Sequence, residues 1–552
     1  MRDIIEQLAI AADRHQAAEV IASSSQSVTN AMSVQDFTTL SETEKIAQVL
    51  LVSMDYDEAE KYRPLIEKGL VGHVLLQWGN YSLEETRALT ERLAAWAGKS
   101  PHAVPLLIYA DYEGGTVFTP VTLGLTDLPT NMMLGAANDP RATETLFHLA
   151  GLEMRRAGIH MSFAPVLDVN TNPKNPIIGV RSFGCDPVRA AELGEAVITG
   201  LKSAGVGAVA KHFPGHGDTA VDSHFGLPVI VQPQATFFQT HLFPFQIAAN
   251  AGVTGIMSAH ILFKDMDDAN PATFSRKILT GLLRERMEFK GLIYSDSLDM
   301  RGALKLHGIA EGAVATINAG TDVAILGKGD AEKAQAALAE AMNSPEFKTR
   351  LETAARRVWE QKQRMGLFEK GFNVDFSIDK AYSVYAGKLS QQAVTLVRGK
   401  PEFAADGSGK KLCALFFTPP RFGDKLAYFD MPFLNAGWLV THYNASVTPT
   451  RDDLAFAADC VASADAVAFG SFQWAATPNT GQINAIENLM PDNKPCALVS
   501  LMSPYDIPFF NKAKNVLALY GISRFSAAGA ANILLGTAKP AGTMPISFKP
   551  LN

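Results

Sequence analysis

The chain of 552 residues is poor in cysteine. Its four, Cys185, Cys413, Cys460 and Cys496, lie far apart and form no CxxC pair. That argues against a zinc ribbon or a disulfide framework and reads as buried, reduced thiols. Basic clusters are missing too. The net charge is −7, so the electrostatic footprint of a nucleic-acid binder is absent and no such partner is expected. No uncharged apolar run reaches the ~20 residues of a membrane span. The opening "MRDIIEQLAIAADRHQAAEV" scatters charges through its apolar positions, unlike a signal peptide. A cytoplasmic protein without a membrane partner is therefore expected. Two hydrolase signatures are also lacking: there is no GxSxG elbow and no HxH pair of the barrel metallohydrolases. "GSGKK" at 407–411 does not satisfy GxxxxGK[ST], and its glycines precede an apolar run instead of following one, so a phosphate loop is rejected.

What is present is an alternation of short apolar runs with longer amphipathic stretches, the mark of βα units and a parallel sheet. Eight such runs fall at 46–54, 69–80, 104–115, 158–170, 206–217, 252–261, 291–300 and 320–329. Their number and span predict a (β/α)8 TIM-type barrel. A charged helix over 344–368 closes it. A second α/β series from about Gln391 predicts a smaller sandwich domain with a mostly parallel sheet. The expected organisation is a helical extension over 1–35, a barrel domain over 36–370, a linker over 371–390 and a sandwich domain over 391–552.

Several barrel runs end in an ionisable residue: Asp111, Asp168, Lys211 with His212, His260 and Asp296. The carboxyl ends of barrel strands face the active site, so five such endings favour a site over ordinary strand exits. The densest stretch is "KHFPGHGDTAVDSHFG", Lys211 to Gly226. A metal reading would use His212 and His216, but Pro214, Gly215 and Gly217 forbid the helix that places i and i+4 on one face. A polar-loop reading suits His216. A proton-relay reading uses Asp222 two residues before His224, where the carboxylate fixes the imidazole tautomer and raises its basicity. Such a pair needs a nucleophile or a water, and Asp296 is the carboxylate that fits.

These residues resemble a family. "KHFPGHGDTAVDSH", "YSDSLDM", "ADYEGGTV", "FAPVLDVNTNPKNPIIGVRSFG" and "IMSAHI" are similar, in order, to the β-N-acetylhexosaminidase branch of glycoside hydrolase family 3. The likeness covers about 40–370, with "KPAGTMPISF" resembling the family's closing motif. It implies that Asp296 is the catalytic nucleophile and that His224, paired with Asp222, is the acid/base. It also implies that Asp111 binds sugar hydroxyls and that Arg181, Lys211 and His212 contact bound N-acetylglucosamine. Asp299 is the rival nucleophile, read as a loop or cap residue, and Asp168 is read as an organiser of the barrel mouth. Thr116 departs from the family, which often carries arginine there, and the extension over 1–35 is not explained.

The resemblance thus implies a retaining exo-β-N-acetylglucosaminidase acting on muropeptides or chitooligosaccharides without a metal or other cofactor. Phosphorolysis at the same site, with phosphate as the acceptor, is the alternative. A metal-dependent barrel hydrolase and a catalytically silent sugar-binding barrel are the readings from other classes. The glycines of "FPGHG" are expected to act as a hinge for the acid/base loop. The sequence carries no sign of an oligomeric state.

Overall fold

The computed structural model describes residues 36–77, 79, 81–115, 124–222, 226–369, 379–400, 403–474 and 477–549. The extension expected over 1–35 lies outside them, as do Thr116 and His224. Eight strands run parallel: β1 (Leu50–Met54), β2 (His73–Leu76), β3 (Leu107–Ala110), β4 (Met161–Ser162), β5 (Gly207–Phe213), β6 (Gly255–Ser258), β7 (Leu292–Tyr294) and β8 (Ala324–Ile325). Each lies within one of the eight apolar runs. β8 pairs with β1 at the other end of the order, and a parallel bridge between Tyr294 and Val323 joins β7 to β8. The barrel is thereby nearly closed.

All the residues of these strands are buried, which is why the runs are continuously apolar instead of alternating. Leu51, Leu107, Tyr109, Phe163, Val209 and Tyr294 belong to one cluster that fills the interior, while a second surrounds the strands under the helices. Helices begin with a repeated device. α1 (Pro140–Arg156) is capped by Asp139, α2 (Pro187–Ser203) by Asp186 and α3 (Pro345–Arg364) by Ser344, each with proline at the first helical position. The cap side chain accepts an orphan backbone N–H, and proline there has none to lose. The helix expected over 344–368 is α3.

The stretch expected as a linker, 371–390, is helical in its described part, α4 (Asp379–Gln392). Tyr382, Ala386 and Leu389 are buried at helical spacing and tie it to the barrel's core. Six further strands follow: β9 (Thr395–Arg398), β10 (Lys411–Phe417), β11 (Leu439–Ala445), β12 (Ala466–Ser471), β13 (Cys496–Ser500) and β14 (Val516–Ala518). Their order is β9-β14-β13-β12-β10-β11, parallel except for β9 against β14.

One expectation is corrected here. Cys413 on β10 and Cys460 on α5 (Arg451–Ser463) are joined as a disulfide, with Cα atoms 5.8 Å apart. The helix packs on the strand and brings together two residues that are 47 apart in sequence. Cys185 and Cys496 are unpaired thiols. Among the described residues, no helix is long and apolar enough to cross a membrane.

Segments outside the strands join the barrel to the second domain. Thr130 Oγ1 donates to the Tyr520 carbonyl at 2.7 Å, and Asn170 Nδ2 donates to the Tyr505 hydroxyl at 2.8 Å. The closing motif docks on the barrel: Cys185 N–H donates to the Pro545 carbonyl at 2.9 Å. A side chain on Gly184 would put its Cβ 2.2 Å from that oxygen, so only glycine lets the tail approach.

Candidate active site

The ionisable strand endings converge on one mouth. Asp111 and Glu113 follow β3, Asp168 follows β4, Lys211 and His212 lie in β5, His260 follows β6 and Asp296 follows β7. At the centre is a chain of ion pairs. Lys211 Nζ lies 2.7 Å from Asp111 Oδ1 and 2.6 Å from Glu113 Oε1. Arg181, on the short 3₁₀ turn Gly179–Arg181, meets the same Glu113 in a two-pronged pair, Nε to Oε2 and Nη2 to Oε1, each 2.8 Å. Burial alone would raise the Glu113 pKa, but Arg181 and Lys211 more than offset it and bring it to about 2. Burial likewise works against the charges of Arg181 and Lys211, and the facing carboxylates hold both pKa values above their ordinary range. Asp111 is the accessible end of the chain, its side chain 26% exposed against 1% for Glu113.

A second cluster surrounds Asp168. Its Oδ2 accepts from His212 Nδ1 at 2.7 Å, and its Oδ1 accepts the His216 backbone N–H at 2.6 Å. The His212 backbone N–H points at both oxygens from 3.2 Å. Burial would raise the Asp168 pKa, but His212 and its other donors outweigh that and hold it at about 2. A carboxylate against Nδ1 places the His212 proton there and turns Nε2 away from Asp168. Asp168 therefore organises the mouth by hydrogen bonding, as the sequence suggested. His216 is structural in its contacts: its ring Nδ1 pairs with Thr219 Oγ1 at 2.9 Å, and burial lowers its pKa to about 4.

Asp296 is half-buried at the end of β7, where its Oδ1 accepts the Ser297 N–H at 2.8 Å. His260 Nε2 lies 2.9 Å from the Ser297 carbonyl and so fixes the backbone that follows Asp296. Burial lowers the His260 pKa against the pull of Asp296, keeping the imidazole neutral beside that carboxylate. Asp299 is exposed, accepting from Ser297 Oγ at 2.7 Å and from the Lys328 N–H at 3.1 Å, the contacts of a loop cap.

Asp222 is half-buried, and its carbonyl accepts the Gly226 N–H at 3.1 Å. His224 itself lies outside the described residues. The structure thus brings together Asp111, Arg181, Lys211, His212 and Asp296 at one mouth, with Asp222 on the loop that leaves β5. Glu113 is the member sequence reasoning passed over. Its signal was the acidic residue of "DYEGG", two places after a strand-ending aspartate. Among the described residues, no three His, Cys, Asp or Glu side chains are grouped as a metal ion requires.

Comparison with known proteins covers the same part of the chain. The family pattern described as "Glycosyl hydrolase family 3 N terminal domain" matches residues 41–360. The chain is 40% identical over 265 residues to a protein of Thiobacillus denitrificans named Beta-hexosaminidase, spanning 47% of this chain and 71% of that one. It is 38% identical over 296 residues to one of the same name from Chromobacterium violaceum, covering 52% of this chain and 80% of the relative. A solved glycoside hydrolase family 3 beta-N-acetylglucosaminidase from Paenibacillus sp. superposes with a TM-score of 0.84 at 30% identity, covering 93% of this chain and 100% of its own. A family pattern over more than half the chain, laid on a nearly closed barrel whose strand ends carry these side chains, is decisive: the protein belongs to glycosyl hydrolase family 3 and is a glycosidase.

Proposed function

We propose that the protein is a retaining exo-β-N-acetylglucosaminidase that removes terminal β-linked N-acetylglucosamine from muropeptides or chitooligosaccharides. The observation that carries this reading is the barrel mouth, where the Asp111–Lys211–Glu113–Arg181 chain of ion pairs lies at the ends of β3 and β5 and Asp296 ends β7. The names of the hexosaminidase relatives and of the Paenibacillus enzyme support the same sugar.

In this mechanism the Asp296 carboxylate attacks C1 of the sugar as the bond from C1 to the leaving oxygen breaks. His224, oriented by Asp222, gives its proton to that oxygen and ends as a neutral imidazole. Water then attacks C1, His224 takes its proton, and Asp296 leaves. Asp111 accepts from sugar hydroxyls, while Lys211, His212 and Arg181 hold the ring against the barrel. A neutral imidazole beside the covalent intermediate adds no second anion there, so water or an anion such as phosphate is tolerated as acceptor.

The test uses Asp296→Ala with a GlcNAc–anhydromuramyl peptide and with chitobiose, each with and without phosphate. Turnover is expected to vanish with the unfolding midpoint unchanged. The wild-type protein is expected to release free N-acetylglucosamine, first as the β anomer, under both conditions. Substantial activity in Asp296→Ala, or release of the α anomer first, sinks the nucleophile assignment. Accumulation of the sugar 1-phosphate would make the enzyme a phosphorylase.

A further inference from the structure

The turn that follows β5 is not free to act as a hinge. A Cβ on Gly217 would lie 1.8 Å from the Val169 carbonyl oxygen, so this glycine serves close approach instead of mobility. The turn is bound along its length to the segment after β4. Besides the bond from His216 N–H to Asp168, Asn172 Nδ2 donates to the Asp218 carbonyl at 3.1 Å. Thr171 Oγ1 donates to Asp218 Oδ1 at 3.0 Å.

Asn175 holds the centre of this contact and is 5% exposed. Its Nδ2 donates to the His216 carbonyl at 2.9 Å and to Thr219 Oγ1 at 3.3 Å. Its Oδ1 accepts the backbone N–H groups of Ile177 at 3.0 Å and Ile178 at 2.9 Å. Those two residues lead directly into the turn Gly179–Arg181. One amide therefore fastens the base of the Asp222 loop to the turn that carries Arg181, with donors on one side and acceptor on the other. Ala220 and Val221, which follow Thr219, are exposed.

We propose that Asn175 is a positioning residue for proton transfer: it sets the base of the acid/base loop, through His216 and Thr219, against the turn that carries Arg181. The proposal rests on the acid/base role given above to Asp222 and His224. Misplacing a proton donor costs most where the leaving group needs the proton. Loss of the anchor therefore has a signature that general loosening of the fold does not share.

The experiment compares full-length wild type, Asn175→Asp and His224→Ala. Asn175→Asp keeps the acceptor for Ile177 and Ile178 and removes the donors to the Asp222 loop. kcat/KM is measured on a dinitrophenyl N-acetylglucosaminide, whose leaving group needs no proton, and on chitobiose, whose leaving group does. Inhibition by N-acetylglucosamine reports the sugar contacts. Asn175→Asp is expected to lose roughly 10–100-fold more on chitobiose than on the dinitrophenyl sugar, with inhibition unchanged, in the direction of His224→Ala. Asn172→Ala, which removes the neighbouring bond to the Asp218 carbonyl, is run beside it and is expected to show a smaller split of the same sign. It carries the test if Asn175→Asp does not fold. Equal losses on both substrates in these variants, with a clear split in His224→Ala, overturn the Asn175 proposal alone. Absence of a split in His224→Ala itself removes the acid/base reading, and the Asn175 proposal with it.

Discussion

Arg181 and Glu113 meet through two parallel hydrogen bonds of 2.8 Å, and the same carboxylate holds Lys211 Nζ at 2.6 Å. One buried anion thus serves two buried cations, with Asp111 as the second anion at the exposed end. Removing one member of a buried charge network strands the others without water, typically at about 3–5 kcal/mol. Glu113→Gln keeps the shape of the side chain, deletes its charge and turns one acceptor oxygen into an NH2 that faces a cationic donor. It is expected to lower the unfolding free energy by that order at pH 7 and to raise KM for the sugar more than it lowers kcat. An unchanged unfolding free energy would show that Lys211 and Arg181 find solvent or other partners.

The same carboxylates set the acid limit of the fold. Glu113 and Asp168 are both held at about 2, below their ordinary values of 4.5 and 3.8. A depressed folded pKa contributes stability that is complete above the unfolded value and is lost as pH falls through the folded one. The window is therefore about pH 4.5 down to 2. Asp168 alone accounts for on the order of 2 kcal/mol across it, from the linkage between its proton binding and folding. Asp168→Asn is expected to be less stable at pH 7 and to have a flatter stability profile below pH 4, read by chemical unfolding at fixed pH. A parallel displacement of the whole curve would place the loss outside this carboxylate.

The barrel was legible because its strands are buried on both faces and so stand out as apolar runs between amphipathic helices. Asp111, Asp168, Lys211 and Asp296 were legible for a related reason. A barrel sends every carboxyl strand end to one mouth, so position along the chain already implies position in space. The partnership of Glu113 with Arg181 was not, because the two lie 68 positions apart and nothing between them states which carboxylate faces which cation. The glycines of "FPGHG" misled in another way. A glycine marks freedom and close approach alike, and at Gly217 the Val169 carbonyl makes it close approach. The helix at 379–392 was hidden by the weak pattern of "DKAYSVYAGKLSQQ", in which few apolar residues mark its buried face.

Cys413 and Cys460 offer a direct check on the compartment. Their disulfide links β10 to α5, a bond that persists in oxidising surroundings and is rare in the cytosol. Protein purified without reductant and unfolded with guanidinium is expected to show only the two thiols of Cys185 and Cys496. Four thiols in freshly lysed cells, with slow pairing on exposure to air, would indicate a protein that works reduced and whose two cysteines merely sit within bonding reach.

At the opposite end of the barrel from the mouth, Lys362 on α3 is wholly buried. Its Nζ donates to Gln48 Oε1 at 2.6 Å and to the Gly72 carbonyl at 3.2 Å, and no carboxylate is among these partners. Burial lowers its pKa from 10.5 to about 7, and its charge in turn helps keep the buried His73 and His160 neutral. For a lysine depressed in this way the sign is the reverse of the carboxylate case. Below pH 7 folded and unfolded chains both carry the proton, and folding bears the whole cost of burying the charge. Between pH 7 and 10.5 the unfolded chain binds more protons, so this group makes stability rise with pH. Lys362→Met removes the charge but leaves Gln48 Oε1 without its donor, a cost of about 1–3 kcal/mol that does not depend on pH. The variant's stability relative to wild type is therefore expected to be highest at pH 6–7 and to decline by a few kcal/mol by pH 10. The measurement is guanidinium unfolding of both proteins at half-unit steps across that range. A difference that stays constant would mean that Lys362 keeps its proton in the barrel floor throughout, held by Gln48 and the Gly72 carbonyl.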